Sequence, residues 1–400
     1  MFRLLVVGMA GQCLSAPQKE LLSSCRLVVG GRRFLALADD IGVETLNITP
    51  LAKAVPAIKK ALRKGNVGVL ASGDPLFFGI GRRLVDEFSA EQVEFHPALS
   101  SLQLAMAGFR VPWEDAGIVS LHGRTSEHVP GLLLARSKTI VLTDAKNSPD
   151  VLAGKLIEYL ELIEANHLLE KCRVMVAENL GMESERFFAG SLKQAADRSF
   201  SDLNVLCLLR PRESVQERLG LTESEIAHSR GLITKDEIRA VALHCLRLPA
   251  SGVFWDVGAG SGSVSIEAAR LNPGLTVYAV ERKAEELTNI KTNIRDHGCY
   301  NVVPVEGTAP DVLGGLPAPQ RVFIGGNGGL LAGIIDEAAK RLSGGGLLVA
   351  NAVTEKTAVD APELMAGAGL LPRIRVINVT RIGQEEPAVL NQISIITGTR

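Results

Sequence analysis

One stretch in the second half of the chain, FWDVGAGSGSVSIEAARLNPGLTVYAVERK, restricts the possible folds more than any other. It predicts a buried strand, a turn with the glycines Gly258, Gly260 and Gly262, a helix that begins near Val264, and a second strand that ends at Glu281. Glycines in such a turn let a ligand approach the backbone, and the helix N-terminus offers unpaired N–H groups. The stretch therefore predicts an α/β fold with a ligand site at the end of its first strand.

The glycine spacing narrows the choice of ligand. The dinucleotide fingerprint is G-x-G-x-x-G, whereas this turn has G-x-G-x-G followed by Ser263. Its pattern D-x-G-x-G-x-G, which begins at Asp256, resembles the methyltransferases that use S-adenosylmethionine (SAM). That resemblance implies that Glu281 accepts the ribose hydroxyls, and that Thr308 and Ala309 border the adenine. An NAD site and a purely structural turn are the alternatives.

The 400 residues alternate short apolar runs with helical patterns in both halves, which predicts parallel sheets. A polar stretch around Pro211 separates the halves, and no repeat aligns them. We therefore expect a first domain at residues 1–210, a linker at 211–230 and a second domain at 231–400.

The first half has a different glycine-rich loop, ASGDPLFFGIG, after the predicted strand NVGVL. The segments SGDPLFFG, PALSSLQ, SLHGR and ENLGMESERFFAGSL resemble the tetrapyrrole methyltransferases of corrin synthesis, in which SAM lies between two α/β subdomains. Matched residue by residue, the resemblance implies cofactor contacts at Gly8, Gly73, Asp74, Leu76, Ser101 and Thr143. The sequence departs from the family at two turns, with GMAGQ (8–12) where G-x-G-P-G is usual and PALSS (97–101) where P-G-x-S-S is usual.

The second half carries GLITKDEIRA, DVGAGSGSVSIEAA and VFIGGNGG, which resemble the methyltransferase that works beside the first one in cobalamin synthesis. The resemblance implies an N-terminal tetrapyrrole-methylase fold, built from two α/β subdomains, followed by a C-terminal Rossmann-like SAM methyltransferase fold. It also implies methylation of a precorrin at carbons 5 and 15, with loss of carbon dioxide from the ring C acetate. A cobalt-containing substrate, an NAD-linked oxidoreductase and a non-catalytic tetrapyrrole-binding scaffold are the alternatives.

A precorrin carries many carboxylates, so basic side chains are expected to bind it. The formal net charge of −1 gives no field that would attract nucleic acid, so these cations must be local. The predicted substrate-binding residues are Arg33, Arg82, Arg124, Arg230 and Lys235, with Arg239 as a further candidate.

Three further expectations concern chemistry, location and helix ends. The six cysteines contain no C-x-x-C pair, so no metal site is predicted and buried reduced thiols are expected. No apolar run is long enough to cross a membrane, and we expect a cytoplasmic protein that forms a homo-oligomer. Ser100 and Ser101 are predicted to cap one helix, and Thr234 another, with Glu237 as its capping-box partner.

Overall fold

The structure, a computed structural model, describes residues 2–122, 127–213, 220–229, 233–383 and 388–400. The chain forms two compact units. The first comprises Met1–Arg124, Ile140–Val151 and Arg173–Leu208, and the second comprises Thr125–Thr139, Leu152–Cys172 and Leu209–Arg400. The second unit thus includes segments that precede the predicted linker.

The first unit carries two five-stranded sheets. Their strands are β1 (Leu4–Met9), β2 (Leu27–Gly30), β3 (Thr45–Asn47), β4 (Val67–Ser72), β5 (Val93–His96), β6 (Gly117–Ser120), β7 (Lys138–Leu142), β8 (Arg173–Glu178), β9 (Arg186–Ser191) and β10 (Asn204–Leu209). One sheet has the order β3-β2-β4-β1-β5 with parallel neighbours. The other has the order β6-β7-β10-β8-β9, and its β8 and β9 are antiparallel. Two α/β layers of this kind agree with the two subdomains that the resemblance implied.

The helices of the first half are α1 (Ala16–Ser23), α2 (Arg32–Leu35), α3 (Leu51–Ala61), α4 (Gly81–Phe88), α5 (Ser101–Phe109), α6 (Val129–Leu134), α7 (Pro149–Leu162), α8 (Asn166–Lys171) and α9 (Leu192–Ala196). The start of α5 shows the predicted capping. The Ser100 hydroxyl accepts the Gln103 N–H at 3.3 Å, and the Gln103 side chain accepts the Ser100 N–H at 2.8 Å. Ser100 is therefore the capping residue and Ser101 is the first residue of the helix.

The second unit is built on a seven-stranded sheet. Its strands are β11 (Ser251–Val257), β12 (Gly274–Glu281), β13 (Val302–Glu306), β14 (Arg321–Ile324), β15 (Leu347–Ala352), β16 (Leu371–Ile377) and β19 (Ile393–Thr399), while β17 (Thr380–Arg381) pairs with β18 (Ala388–Val389). Its helices are α10 (Asp236–Leu246), α11 (Ser263–Leu271), α12 (Ala284–Asp296), α13 (Leu331–Arg341) and α14 (Glu355–Gly367). The buried apolar run around Trp255 and Val257 makes β11 a central strand, as expected of a strand covered on both faces.

The order of this sheet, β13-β12-β11-β14-β15-β19-β16, creates a ligand-binding position. Strands β11 to β15 are parallel, and the chain order reverses between β11 and β14. The carboxyl ends of the strands at such a reversal form a crevice where ligands bind in open α/β sheets. Strand β19 is antiparallel to β15 and β16, so the predicted parallel arrangement does not extend to this side of the sheet.

Tyr159 of α7 and His128, the N-cap of α6, contact the chain at the start of β13 within the second unit. The Tyr159 hydroxyl donates to the Val302 carbonyl at 2.7 Å, and His128 Nε2 lies 2.9 Å from the Tyr300 carbonyl oxygen. Burial lowers the pKa of His128 to about 4, so its ring is neutral and Nε2 can donate this bond. Helices from the first half of the sequence are therefore part of the core of the second unit.

Two helix-capping predictions are wrong. The N-cap of α10 is Lys235 and not Thr234, whose carbonyl instead accepts Arg239 Nη1 at 2.9 Å. Glu237 forms no capping box, because Arg381 binds both of its carboxylate oxygens at 2.8 Å.

The expectation of buried cysteines is wrong for Cys13, which is exposed, while the other five cysteines are buried. None of the described helices has both the length and the apolar character that a membrane crossing requires.

Candidate functional site

A cavity of about 610 Å³ lies at the reversal of strand order in the second unit. We call it the second cavity. Six of the predicted residues line it: Lys235, Gly258, Gly260, Glu281, Thr308 and Ala309. Its volume falls in the range of about 300–1,000 Å³ that is usual for small-molecule sites.

The glycine turn shapes this cavity through three different effects. Gly258, Gly260 and Gly262 have φ values of +66°, +55° and +77°, which favour glycine. A Cβ at Gly258 would lie 2.1 Å from the carbonyl oxygen of Gly326, so the glycine permits close approach of the loop after β14. A Cβ at Gly260 would meet no atom within 4 Å, which leaves room for a ligand. Gly262 is the N-cap of α11, and a Cβ there would lie 3.0 Å from Ile290, away from the cavity lining.

Glu281 ends β12, and its carboxylate is tied to the backbone around the cavity. Its Oε2 accepts the Gly260 N–H at 2.9 Å, and its Oε1 accepts the N–H groups of Arg282 and Lys283 at 2.9 and 3.0 Å. These bonds connect the glycine turn to the end of the neighbouring strand. The carboxylate is buried and still lines the cavity, so it can accept hydrogen bonds from a ligand with adjacent hydroxyls.

Asp256, also predicted to bind the cofactor, lies beneath the glycine turn and outside the cavity lining. It is 1% exposed, and its Oδ2 accepts the Ser265 N–H at 3.0 Å and the Ser265 hydroxyl at 2.6 Å. Burial raises the pKa of Asp256 to about 7, although the bonds from Ser265 oppose the shift. Its observed contacts therefore hold the first turn of α11 against β11.

The predicted cations of the second half have different surroundings. Lys235 lines the cavity, and its Nζ lies 2.5 Å from Glu223 Oε2. Arg239 is only 2% exposed and contacts the Leu221 carbonyl and the Glu267 carboxylate, so its proposed contact with substrate is wrong. It anchors the chain before α10 to the helices instead. Arg230 lies outside the described residues.

Sequence reasoning missed several polar residues of the second cavity. Arg282, Asn327 and Asn351 all line it. Asn351 is 8% exposed, and its Oδ1 has no hydrogen-bond partner among the described residues. Asn327 lies within the segment VFIGGNGG that carries the resemblance, and Arg282 directly follows Glu281. The motifs could therefore have indicated both residues.

A separate cavity of about 450 Å³, which we call the first cavity, lies in the first unit. Four of the predicted residues line it: Arg33, Gly73, Ser101 and Thr143. Thr143 donates to Asn204 Oδ1 at 2.7 Å, and its carbonyl oxygen lies 3.3 Å from His122 Nδ1. Segments that follow strands of both sheets of this unit therefore border the cavity.

Close backbone packing holds the loops of the first cavity together. A Cβ at Gly8 would lie 2.1 Å from the Gly73 carbonyl oxygen and 2.6 Å from the Ala98 nitrogen. The Gly73 N–H donates to the Met9 carbonyl at 2.8 Å, and the Ala98 N–H donates to the Gly73 carbonyl at 3.2 Å. Gly8 therefore lies behind the cavity wall, where only a glycine fits.

Asp74, Leu76 and Arg82, also predicted in the first half, do not line this cavity. Asp74 shapes the loop, because its Oδ1 accepts the Leu76 N–H at 2.9 Å, while the Leu76 side chain is 57% exposed. Arg82 is exposed on α4, and Arg124 lies outside the described residues.

Residues outside the predicted set also line the first cavity, among them Met9, Ala10, Gly11, Gln12, His122 and Asn179. The segment 9–12 lines the cavity although its sequence departs from the family pattern. Throughout the described ranges, no group of three or more His, Cys, Asp or Glu side chains is placed to hold a metal ion.

Two protein-family models match the chain. The model of tetrapyrrole (corrin/porphyrin) methylases matches residues 14–196, and that of the precorrin methyltransferase domain matches residues 225–391. The first cavity lies mostly within the first match, and the second cavity lies almost entirely within the second.

Curated relatives match either the whole chain or about half of it. A precorrin-6Y C(5,15)-methyltransferase [decarboxylating] from a Sinorhizobium species is 34% identical over 94% of this chain and 89% of its own length. A probable cobalt-precorrin-6B C(15)-methyltransferase (decarboxylating) from Pyrobaculum calidifontis is 42% identical over 41% of this chain and 87% of its own. A cobalt-precorrin-7 C(5)-methyltransferase from Salmonella typhimurium is 35% identical over 52% of this chain and 100% of its own.

Proposed function

Since this chain belongs to the family of decarboxylating precorrin-6Y C(5,15)-methyltransferases and is therefore a methyltransferase, we propose that it methylates a precorrin at carbons 5 and 15. It would also release carbon dioxide from the ring C acetate, and SAM would be the methyl donor. The observation that carries the proposal is the presence of two separate glycine-bordered cavities, one in each unit. A relative that matches along nearly the whole chain is named for a precorrin, which favours a substrate without cobalt.

The second cavity fits SAM through its polar and open positions. Glu281 would accept the ribose hydroxyls, Thr308 and Ala309 would border the adenine, and the space next to Gly260 would admit the methionine part. SAM supplies an electrophilic methyl group on a sulfonium when bound. The chain has to hold the donor and a nucleophilic carbon of the macrocycle in line, and such positioning can contribute about 7–11 kcal/mol toward lowering a barrier.

The first cavity would hold a second SAM. Gly73 and Ser101 would contact it from the first sheet, and Thr143 would contact it from the second. The tight packing of Gly8 against Gly73 would keep these loops at the spacing that a ligand between two sheets needs. Arg33, which also lines this cavity, would bind a carboxylate of the substrate, as Lys235 would in the second cavity.

The half-length relatives support a division of labour. One is named for carbon 15 and decarboxylation and the other for carbon 5, and each matches only about half of this chain. We assign carbon 5 to residues 1–210, and carbon 15 with decarboxylation to residues 231–400. The substrate names, 6B for carbon 15 and 7 for carbon 5, favour methylation of carbon 15 first. Decarboxylation would leave its electron pair in the conjugated macrocycle, and a proton, which solvent can supply, would then convert the remaining ring C methylene into a methyl group.

Glu281→Ala tests the second SAM site in the full-length protein. The variant should weaken SAM binding at the second cavity by about 1–3 kcal/mol, because charge-assisted hydrogen bonds to the ribose are lost. Titration calorimetry measures the change, and Glu281→Gln, which can keep the bonds at Oε1, should lose less.

Glu285→Ala is the matched control for this test. Glu285 lies on the exposed side of α12 and does not line the cavity, so the same loss of charge should leave SAM binding unaltered. Equal SAM affinity in Glu281→Ala and wild type, with the fold intact, would exclude the ribose contact.

A further inference from the structure

Arg282 packs on the loop that follows β14 in an unusual orientation. We call residues Gly325–Gly329 the glycine loop. A Cβ at Gly328 would lie 3.2 Å from Arg282 Nη1 and 3.3 Å from both Cζ and Nη2. Three nearly equal distances mean that the guanidinium turns its flat face toward Gly328. Its edge, which carries the N–H donors, therefore does not point at the loop.

The position of Arg282 in the sheet explains how it reaches this loop. It directly follows β12, while the glycine loop follows β14, and β11 lies between these two strands. The side chain therefore extends past the carboxyl end of β11, where the glycine turn begins. Because Arg282 and Gly328 both line the second cavity, the guanidinium lies at its border.

The charge of Arg282 is uncompensated within the described part of the chain. No hydrogen bond or ion pair reaches its guanidinium there, whereas Lys235 Nζ has Glu223 at 2.5 Å. Arginine keeps its charge under all ordinary conditions, and its fork of donors matches a carboxylate in geometry. One flat face lies against Gly328 while the residue as a whole is exposed, so the edge of the guanidinium is open to an anion.

We propose that Arg282 is a substrate-specificity residue of the second cavity, whose guanidinium edge binds a peripheral carboxylate of the tetrapyrrole. This inference rests on the proposed function. SAM also has a carboxylate, but its ammonium and sulfonium groups give it a net positive charge, which disfavours a free cation beside it. The tetrapyrrole carries several carboxylates, which favours it as the partner of Arg282.

The first test compares Arg282→Gln with Lys283→Gln in the full-length protein. Lys283 is adjacent, also lines the cavity and carries the same charge, so it controls for the loss of a cation. Arg282→Gln should raise the KM for precorrin in carbon dioxide release by roughly 10- to 100-fold, the loss expected for hydrogen bonds between charged groups. Its SAM affinity, measured by calorimetry, should stay at the wild-type value, and Lys283→Gln should alter KM far less.

The second test alters the surface on which the guanidinium lies. Gly328→Ala places a Cβ against the guanidinium and should raise the KM as Arg282→Gln does, with little further change when the two are combined. Gly329→Ala is its matched control, because Gly329 has a φ of +88° but its Cβ would meet nothing within 4 Å. Both variants suffer backbone strain, and only the first disturbs Arg282.

Each outcome of these tests is decisive. An active wild type with an unaltered KM in Arg282→Gln would overturn this inference alone. Weaker SAM binding with an unaltered KM for precorrin would also overturn it and assign Arg282 to the cofactor. A wild type that leaves the precorrin unmethylated would overturn the proposed function together with this inference.

Discussion

Full-length protein with Gly258→Ala is expected to release carbon dioxide from its precorrin, and to methylate carbon 15, on the order of 100-fold more slowly than the wild type. The new Cβ would lie 2.1 Å from the Gly326 carbonyl oxygen and 2.7 Å from the Gly326 nitrogen. These are backbone atoms, so the glycine loop that borders the second cavity has to move. A displacement of about 1 Å in a site that works by positioning can cost on the order of 100-fold in rate. Trapping of labelled carbon dioxide measures the loss.

Gly345→Ala provides the control for backbone strain in this experiment. Gly345 has a φ of +72°, close to the +66° of Gly258, but a Cβ there would meet no atom within 4 Å and it does not line the cavity. Both variants should lose a similar free energy from the left-handed conformation, and only Gly258→Ala should lose activity. Full carbon dioxide release by Gly258→Ala would contradict the assignment of decarboxylation to the second cavity.

Gly8→Ala should have the opposite effect on the products. Its Cβ would lie 2.1 Å from the Gly73 carbonyl oxygen and 2.6 Å from the Ala98 nitrogen, so the loops of the first cavity must separate. We expect a product that has gained one methyl group and lost carbon dioxide, with carbon 5 unmethylated and that step slowed on the order of 100-fold. Mass spectrometry of the product distinguishes this intermediate from the final product.

Gly154→Ala in α7 is the matched control, because a Cβ there would meet nothing within 4 Å. It should give the doubly methylated product of the wild type. A Gly8→Ala product that is methylated but still carries its ring C carboxylate would reverse the assignment of the two reactions to the two halves.

The sequence predicted the fold class because its strands and turns have strong local signals. Apolar runs such as LLVVGM form parallel strands. The glycine spacing after β11 is compatible with few local structures other than a turn between a strand and a helix. The short strands β3, β6 and β9 were missed, because three to six residues without an apolar run give no clear periodicity. The antiparallel direction of β19 was not predicted, since strand direction is not encoded in the strand itself.

The site was predictable where one motif contains it, and not where distant segments meet. Glu281 and Gly258 follow from a single stretch of sequence, and the structure places both at the second cavity. Thr234 failed as a cap because the helix begins one residue later, with Lys235 as its N-cap. Arg381, far along the chain, binds the side chain of Glu237. The setting of Arg282 depends in the same way on a loop after another strand. Contacts of this kind depend on tertiary packing and override local preference.

The central claim is that the chain has two SAM sites, one in each half, and calorimetric titration of the full-length protein with SAM tests it most directly. We expect two sites in the wild type, only the first in Gly258→Ala and only the second in Gly8→Ala, with the free energy of unfolding of each variant measured alongside. A single site in the wild type, or loss of the same site in both folded variants, would contradict the account.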